Sequence, residues 1–253
     1  MRVDQSFIGA DGVGETIERR LWRAGVTHWD EFAGEAVGPI RADRIREFIE
    51  QGRSALADEN VAFFSRTLPS TEQWRTYATF REKATFFDIE TTGLDHRDSI
   101  VTTVSLHRNG DTRTLVRGDD LTAETLRATL GEADLLVTFN GKRFDVPFLE
   151  AAFDVDCSAP HLDLMHACRR ANLTGGLSEI ERELGVERDR PDISGRDAVR
   201  LWHDHERGVD GALETLVSYN REDTVNMVEV ADHLTAALRP PEAPAPPIDP
   251  VRD

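Results

Sequence analysis

Two acids stand two residues apart in the stretch ATFFDIETTGL at residues 84–94, an apolar, β-prone run that ends in a glycine and a leucine. Such a run reads as a buried strand leading into a turn. Side chains at i and i+2 of a strand point the same way, so Asp88 and Glu90 project together from the strand's end. Two anions held side by side repel, and a fold keeps them when something positive lies between them. A hard divalent cation with oxygen ligands, Mg²⁺ or Mn²⁺, meets that need. The same pair at an ordinary strand end would simply be solvated, and D-x-E alone does not separate the two readings.

Two further acids stand out by their context. FNGKRFDVPFL at 139–149 follows a second buried run at 135–139 and puts Asp145 just ahead of a helix, with Pro147 suited to its first turn. Asp145 is there also well placed to cap that helix. Tyr219 and Asp223 are four apart in a helical stretch over 213–238, so they share one face, one turn apart.

The remaining elements must bring these groups together. Residues 1–68 read as helical: a glycine-punctuated turn at 7–14, a helix with Ile17, Leu21 and Ala24 on one face, and a helix over 40–56 carrying Ile45, Phe48, Ile49 and Leu56. A GxG turn opening a helix exposes backbone N–H groups to a phosphate. The arrangement resembles a helix-hairpin-helix with Arg19, Arg20 and Arg23 nearby; a hairpin that merely packs fits the same residues. Pro69 and the polar residues after it suggest a linker over 69–83. Runs at 100–108 and 112–117 flank Asn109-Gly110, a strong hairpin signal. Thr122 caps a helix bearing Leu126 and Leu130. Strands followed by helices over 84–238 predict an α/β architecture, a mixed sheet flanked by helices. The Pro- and Ala-rich tail at 239–253 is expected to be disordered.

The chain has 253 residues, a formal charge of −17, and only two lysines, Lys83 and Lys142. An acidic, arginine-dominated, lysine-poor composition suits a salt-loaded cytoplasm and argues against a polyanion binder coated with basic charge. Local contacts to nucleic acid remain open, because at molar salt the screening length falls to about 3 Å. No apolar run approaches the roughly 18 residues of a membrane span, and the N-terminus lacks the pattern of a leader, so a cytoplasmic, membrane-free protein is expected. Cys157 and Cys168 form no CxxC pair and read as reduced thiols; with His161 and His166 they do not match paired zinc-ligand spacings. His203 and His205 read as surface residues.

Taken together, DxET on a first strand, FNGxxFDxPFL after a later one and YxxxD on a late helix resemble the three motifs of the DEDD 3′–5′ exonucleases, the DnaQ-like enzymes with the ribonuclease-H-like fold. The likeness extends to the YprB-like family through Phe63-Phe64, Trp74-Arg75, His161-Leu162-Asp163-Leu164, Leu177-Ser178-Glu179-Ile180-Glu181, Asp192-Ile193-Ser194-Gly195 and the YNxED run at Tyr219. The resemblance implies that Asp88, Glu90, Asp145 and Asp223 bind two divalent ions, with Asp88 bridging them. Asp88, Glu90 and Asp223 would hold the ion that carries the attacking water, and Asp145 would help hold the second. The histidine branch places its His five residues before the last Asp, where this chain has Ser218; Tyr219 stands at the tyrosine-branch position and would orient the water. Two such ions, roughly 3.5–4 Å apart, clamp a scissile phosphate, activate water and stabilise the leaving oxygen. The implied substrate is single-stranded DNA or RNA with a 3′ end, and the implied product a nucleoside 5′-monophosphate. Thr91, Thr92 and Asn140 flank the site and could touch sugar or phosphate, and Lys142 with Arg143 offers a basic pair for a strand backbone; as turn residues they need no such role. Asp163 is conceivable as a supporting carboxylate. A structure-specific endonuclease, or a non-catalytic nucleic-acid-binding scaffold on the same fold, are the alternatives.

Overall fold

Apolar residues at helical spacing build a first unit, Met1–Arg81 together with residues 235–244. In the computed structural model, which describes residues 1–244, this unit holds α1 (Glu15–Arg23), α2 (Pro39–Ala57), α3 (Val61–Thr67) and α4 (Trp74–Phe80). Its polar centre is Glu18 of α1, which accepts from the Ser6 hydroxyl at 3.0 Å and the backbone N–H groups of Phe7 and Ile8 at 2.8 and 3.1 Å. Arg75 of α4 pairs with Glu18 at 2.7 Å and with Glu72 at 2.6 Å. The expected linker over 69–83 is therefore corrected. Trp74, Tyr77 and Phe80 recur every three residues and are all buried, so this stretch packs as a helix, and Pro69 opens the turn before it. In the glycine turn, Gly14 stands at the N-cap of α1 and Gly12 takes a φ of 75°. Two of the three nearby arginines are paired, Arg19 with Glu15 and Arg23 with Glu242.

The start of the expected disordered tail is also ordered. Ala243 N–H donates to Pro240, and the Arg239 guanidinium donates to the carbonyls of Ala243 and Pro244 at 2.6 and 2.9 Å, which folds 239–244 into a turn. Residues 245–253 lie outside the described residues. No helix among the described residues is long and apolar enough to cross a membrane.

The second unit, Glu82–Leu234, is built on β1 (Ala84–Thr91), β2 (Val101–Arg108), β3 (Asp111–Val116), α5 (Ala123–Gly131), β4 (Leu135–Thr138), α6 (Asp145–Phe153), β5 (His161–Asp163), α7 (Leu164–Arg170), α8 (Leu177–Leu184), α9 (Gly195–Glu206) and the long α10 (Ala212–Ala237). The sheet order is β3-β2-β1-β4-β5. β1 pairs antiparallel with β2, and β2 with β3 through the Asn109-Gly110 hairpin, whereas β4 lies parallel to β1 and β5 parallel to β4. This is the predicted mixed sheet flanked by helices. β5 is the one strand that periodicity misses; three residues are too few to show alternation.

Alternation along β1 sets the two faces of the sheet. Phe87 and Ile89 join Val104, Leu115, Leu126, Leu136 and Leu149 in one apolar cluster. Asp88 and Glu90 take the opposite face, where α10 lies. The ladder pairs Asp88 with Ser105 and Glu90 with Thr103, then shifts register between Glu90 and Thr91. Such a bulge re-aims the side chains beside it. After β4 the chain turns sharply at Gly141, where a Cβ would meet the Thr138 hydroxyl at 2.4 Å, so glycine alone fits there. That turn delivers Asp145 to the start of α6.

Candidate active site

β1 supplies two carboxylates to the face that α10 covers, and α10 supplies the third. Asp88, Glu90 and Asp223 each offer an oxygen within 4.8 Å of the others. The helix is fixed over the strand by a relay. Thr103 of β2 donates to the Asn220 carbonyl oxygen at 2.9 Å, and the Asn220 amide donates to Asp88 Oδ2 at 2.7 Å. Thr224, one turn on, returns its hydroxyl to the Asn220 backbone carbonyl at 2.9 Å. Asn220 is fully buried, so its amide has a single productive orientation. Glu90, Asp145 and Asp223 are buried too.

Asp145 is the first residue of α6, and Phe144 holds the N-cap position; Asp145 therefore does not cap the helix. Burial pushes its carboxyl up to about 7 against the pull of the backbone N–H groups of Asp145 and Ile89, and the nearby Asp163 charge adds to the rise. Asp88 is raised well above the usual carboxylate range by burial and then by the charges of Asp145, Asp223 and Glu90. Glu90 is raised by burial and by Asp223 and Asp145. Asp145 thus acts electrostatically on the other acids while standing outside their tight triad. Asp223 reaches about 6: burial raises it, and Arg188, with a hydrogen bond from Tyr219, holds it back. Burial and these acids raise the Tyr219 phenol, so it stays protonated.

The donor set is all carboxylate oxygen, converging and buried, with more negative charge than the protein neutralises. It fits a hard divalent cation. The sign of the metal-free case follows directly. A carboxyl whose folded pKa lies above its unfolded value favours the folded state most at low pH, and that contribution is lost as pH rises through the folded pKa. Without metal, the melting temperature of the second unit should therefore fall as pH rises from about 4 to about 7. Mn²⁺ should remove most of that fall. Differential scanning calorimetry in EDTA and in Mn²⁺ checks it, and parallel pH profiles would contradict it.

The other expected contacts divide. Thr91 lines a cavity of about 680 Å³ beside Glu90, together with Leu94, Phe144, Arg196 and Val199, but Asn140, Lys142 and Arg143 do not line it. The Thr91 hydroxyl donates to the Gly93 carbonyl at 2.6 Å. Asp163 accepts from the backbone N–H groups of Asn140, Lys142 and Met165 at 2.8, 3.2 and 3.1 Å. It thus shapes the turn ahead of Asp145, and the Lys142 and Arg143 side chains are exposed. Sequence reasoning missed Arg188, which bonds Asp223 and Glu181, and the cavity residues Leu94, Phe144 and Arg196. Leu94, 88% exposed at the cavity rim, carried the clearest signal: a large apolar residue directly after a Gly turn.

A mixed sheet of this order, with acids on its first strand and a late helix across them, defines a ribonuclease-H-like α/β protein. Residues 85–235 match the family model described as the RNase_H superfamily, and the chain belongs to that superfamily. Among solved structures it is similar to the family B DNA polymerase from the hyperthermophilic archaeon Pyrobaculum calidifontis, at 17% identity and a TM-score of 0.46 over 58% of this chain. The match spans 24% of the polymerase, about a quarter of its length. A second structure, described as the apo form of a nuclease, is similar at 23% identity and a TM-score of 0.45, over 64% of this chain and 75% of that one. No curated protein matches the chain.

Proposed function

We propose that the acidic pocket is the active site of a metal-dependent 3′–5′ exonuclease of the tyrosine-type DEDD, YprB-like branch, which removes nucleoside 5′-monophosphates from the 3′ end of single-stranded DNA or RNA. The observation that carries this reading is the meeting of Asp88, Glu90 and Asp223, from a strand and from a helix more than 130 residues later, within 4.8 Å. Asp88, Glu90 and Asp223 would hold one Mg²⁺ or Mn²⁺ ion, and Asp145 with Asp88 a second. Bound there, the ions would supply Lewis-acid activation of water and of the phosphate. Tyr219, kept protonated by burial and by the acids around it, would serve as a donor that orients the attacking water, since a phenol held neutral cannot act as the base. Asn220 keeps Asp88 aimed from below. The cavity beside Glu90, with apolar Leu94 and Phe144 on its walls and Arg196 at one side, has the size and mixed lining that suit a nucleotide. The acidic, lysine-poor composition supports a salt-loaded cytoplasm as the setting.

The test uses linear oligonucleotides of DNA and RNA labelled at either end, and a circular strand, in Mg²⁺ or Mn²⁺ across low to molar salt. Stepwise shortening from the 3′ end of linear strands, with circles untouched, is the expected outcome. No shortening under any ion or salt would end the reading, and cut circles would convert it to an endonuclease. In the same assay Tyr219→Phe should retain a weak residual rate, about 10²-fold down in kcat with KM little changed. Full activity in Tyr219→Phe would remove the water-orienting role.

A further inference from the structure

Arg188 lies in the loop after α8 and belongs to none of the motifs that carry the reading above. Its side chain is 7% exposed, and that of Glu181, on α8, is 1% exposed. The guanidinium bonds Glu181 through Nε and, at 3.0 Å, through Nη2. Nη2 also bonds Asp223 Oδ1, and the cation sits 5.8 Å from the centre of the Tyr219 ring. Nη1 is buried without a partner. An arginine placed to saturate its hydrogen bonds would fill the whole fork; here two carboxylates set the position of the charge and one amino group is left over.

Glu181 and Arg188 alone would make a neutral buried pair. The additional contact goes to Asp223, one of the three acids whose oxygens converge with those of Asp88 and Glu90. Any cation bound by that triad shares Asp223 with Arg188. Two cations on one buried carboxylate repel each other, and the coupling is reciprocal: each weakens the other's hold. Before a cation arrives, the same guanidinium offsets part of the repulsion among the acids and keeps Asp223 and the Tyr219 ring in place.

We propose that Arg188, braced by Glu181, is a positioning residue that serves as the resident counter-ion of the pocket: it keeps Asp223 and Tyr219 assembled without metal, and by sharing Asp223 it holds the affinity for the divalent cation down. This rests on the reading of the pocket as a divalent-cation site. The test titrates Mn²⁺ into the full chain by calorimetry and electron paramagnetic resonance, and measures melting temperatures in EDTA and in Mn²⁺. Arg188→Gln should bind Mn²⁺ about ten-fold more tightly than wild type. It should also melt lower in EDTA and gain more from Mn²⁺. Arg188→Lys, which keeps the charge, should stay close to wild type in affinity. An Arg188→Gln affinity equal to or weaker than wild type would overturn the proposal, because a purely structural role predicts that result. Should Arg188→Gln not fold, the pair Glu181→Gln with Arg188→Met removes the Glu181 charge along with the guanidinium, and it carries the same expectation and the same refutation. Wild-type protein that binds no Mn²⁺ would instead bring down the reading of the pocket itself, a failure separable from a wild type that binds while the variants do not differ.

Discussion

Asp223→Asn is expected to stop turnover, by about 10³-fold or more in kcat, which corresponds to about 4 kcal/mol of lost transition-state stabilisation. The substitution keeps shape and one acceptor oxygen, so Arg188 and Tyr219 retain a partner, but the charge needed to hold a cation is gone. Asp88→Asn should do the same through the other side of the triad. It should also raise the melting temperature in EDTA near pH 7.5, because Asp88 is a buried carboxyl set against three other acids and the neutral amide is free of that repulsion. The substitution that removes activity would thus stabilise the metal-free protein, the usual opposition between stability and function at a charged site. Single-turnover kinetics and calorimetry on the same samples check both signs. A fully active Asp223→Asn, or an Asp88→Asn that melts lower in EDTA, would contradict the assignment of these groups.

The second large effect belongs to the helical unit. Arg75 is fully buried and joins Glu18, Glu72 and the Ser6 hydroxyl. Its guanidinium carbon lies 5.9 Å from the centre of the Trp22 ring and 5.4 Å from that of Trp74. Arg75→Met fills the space but leaves two buried carboxylates facing each other without their cation, at a cost of about 3–5 kcal/mol. Hydrogen exchange should show residues 1–81 losing protection together. Adding Glu18→Gln and Glu72→Gln to Arg75→Met should recover most of the loss, since the cost lies in the unpaired charges rather than in packing. An Arg75→Met protein as stable in urea as wild type would show that the three charges carry no such burden.

Local periodicity made the core of the site legible. Asp88 and Glu90 share a face because strands alternate, Tyr219 and Asp223 share one because helices repeat near four, and the Asn109-Gly110 pair predicts the hairpin that sets the β2–β3 register. These are short-range rules, and they held wherever the relevant neighbours lay within one element. The stretch at 69–83 shows their misuse: Pro69 and polar residues suggested a break, although Trp74, Tyr77 and Phe80 already carried a helical pattern that outweighed it. β5, at three residues, was too short to register.

What the chain's order of residues determined by itself was which groups share a face within one element, Asp88 with Glu90 and Tyr219 with Asp223, and the α/β class. Tertiary structure alone decided that Asp163 serves the turn before Asp145, that Asn220 locks Asp88, and that Arg188 comes from a loop 35 positions upstream to lie on Asp223. The reason is physical: burial and mutual repulsion give a set of carboxylates its character, and both depend on which distant side chains the fold brings within a few ångströms.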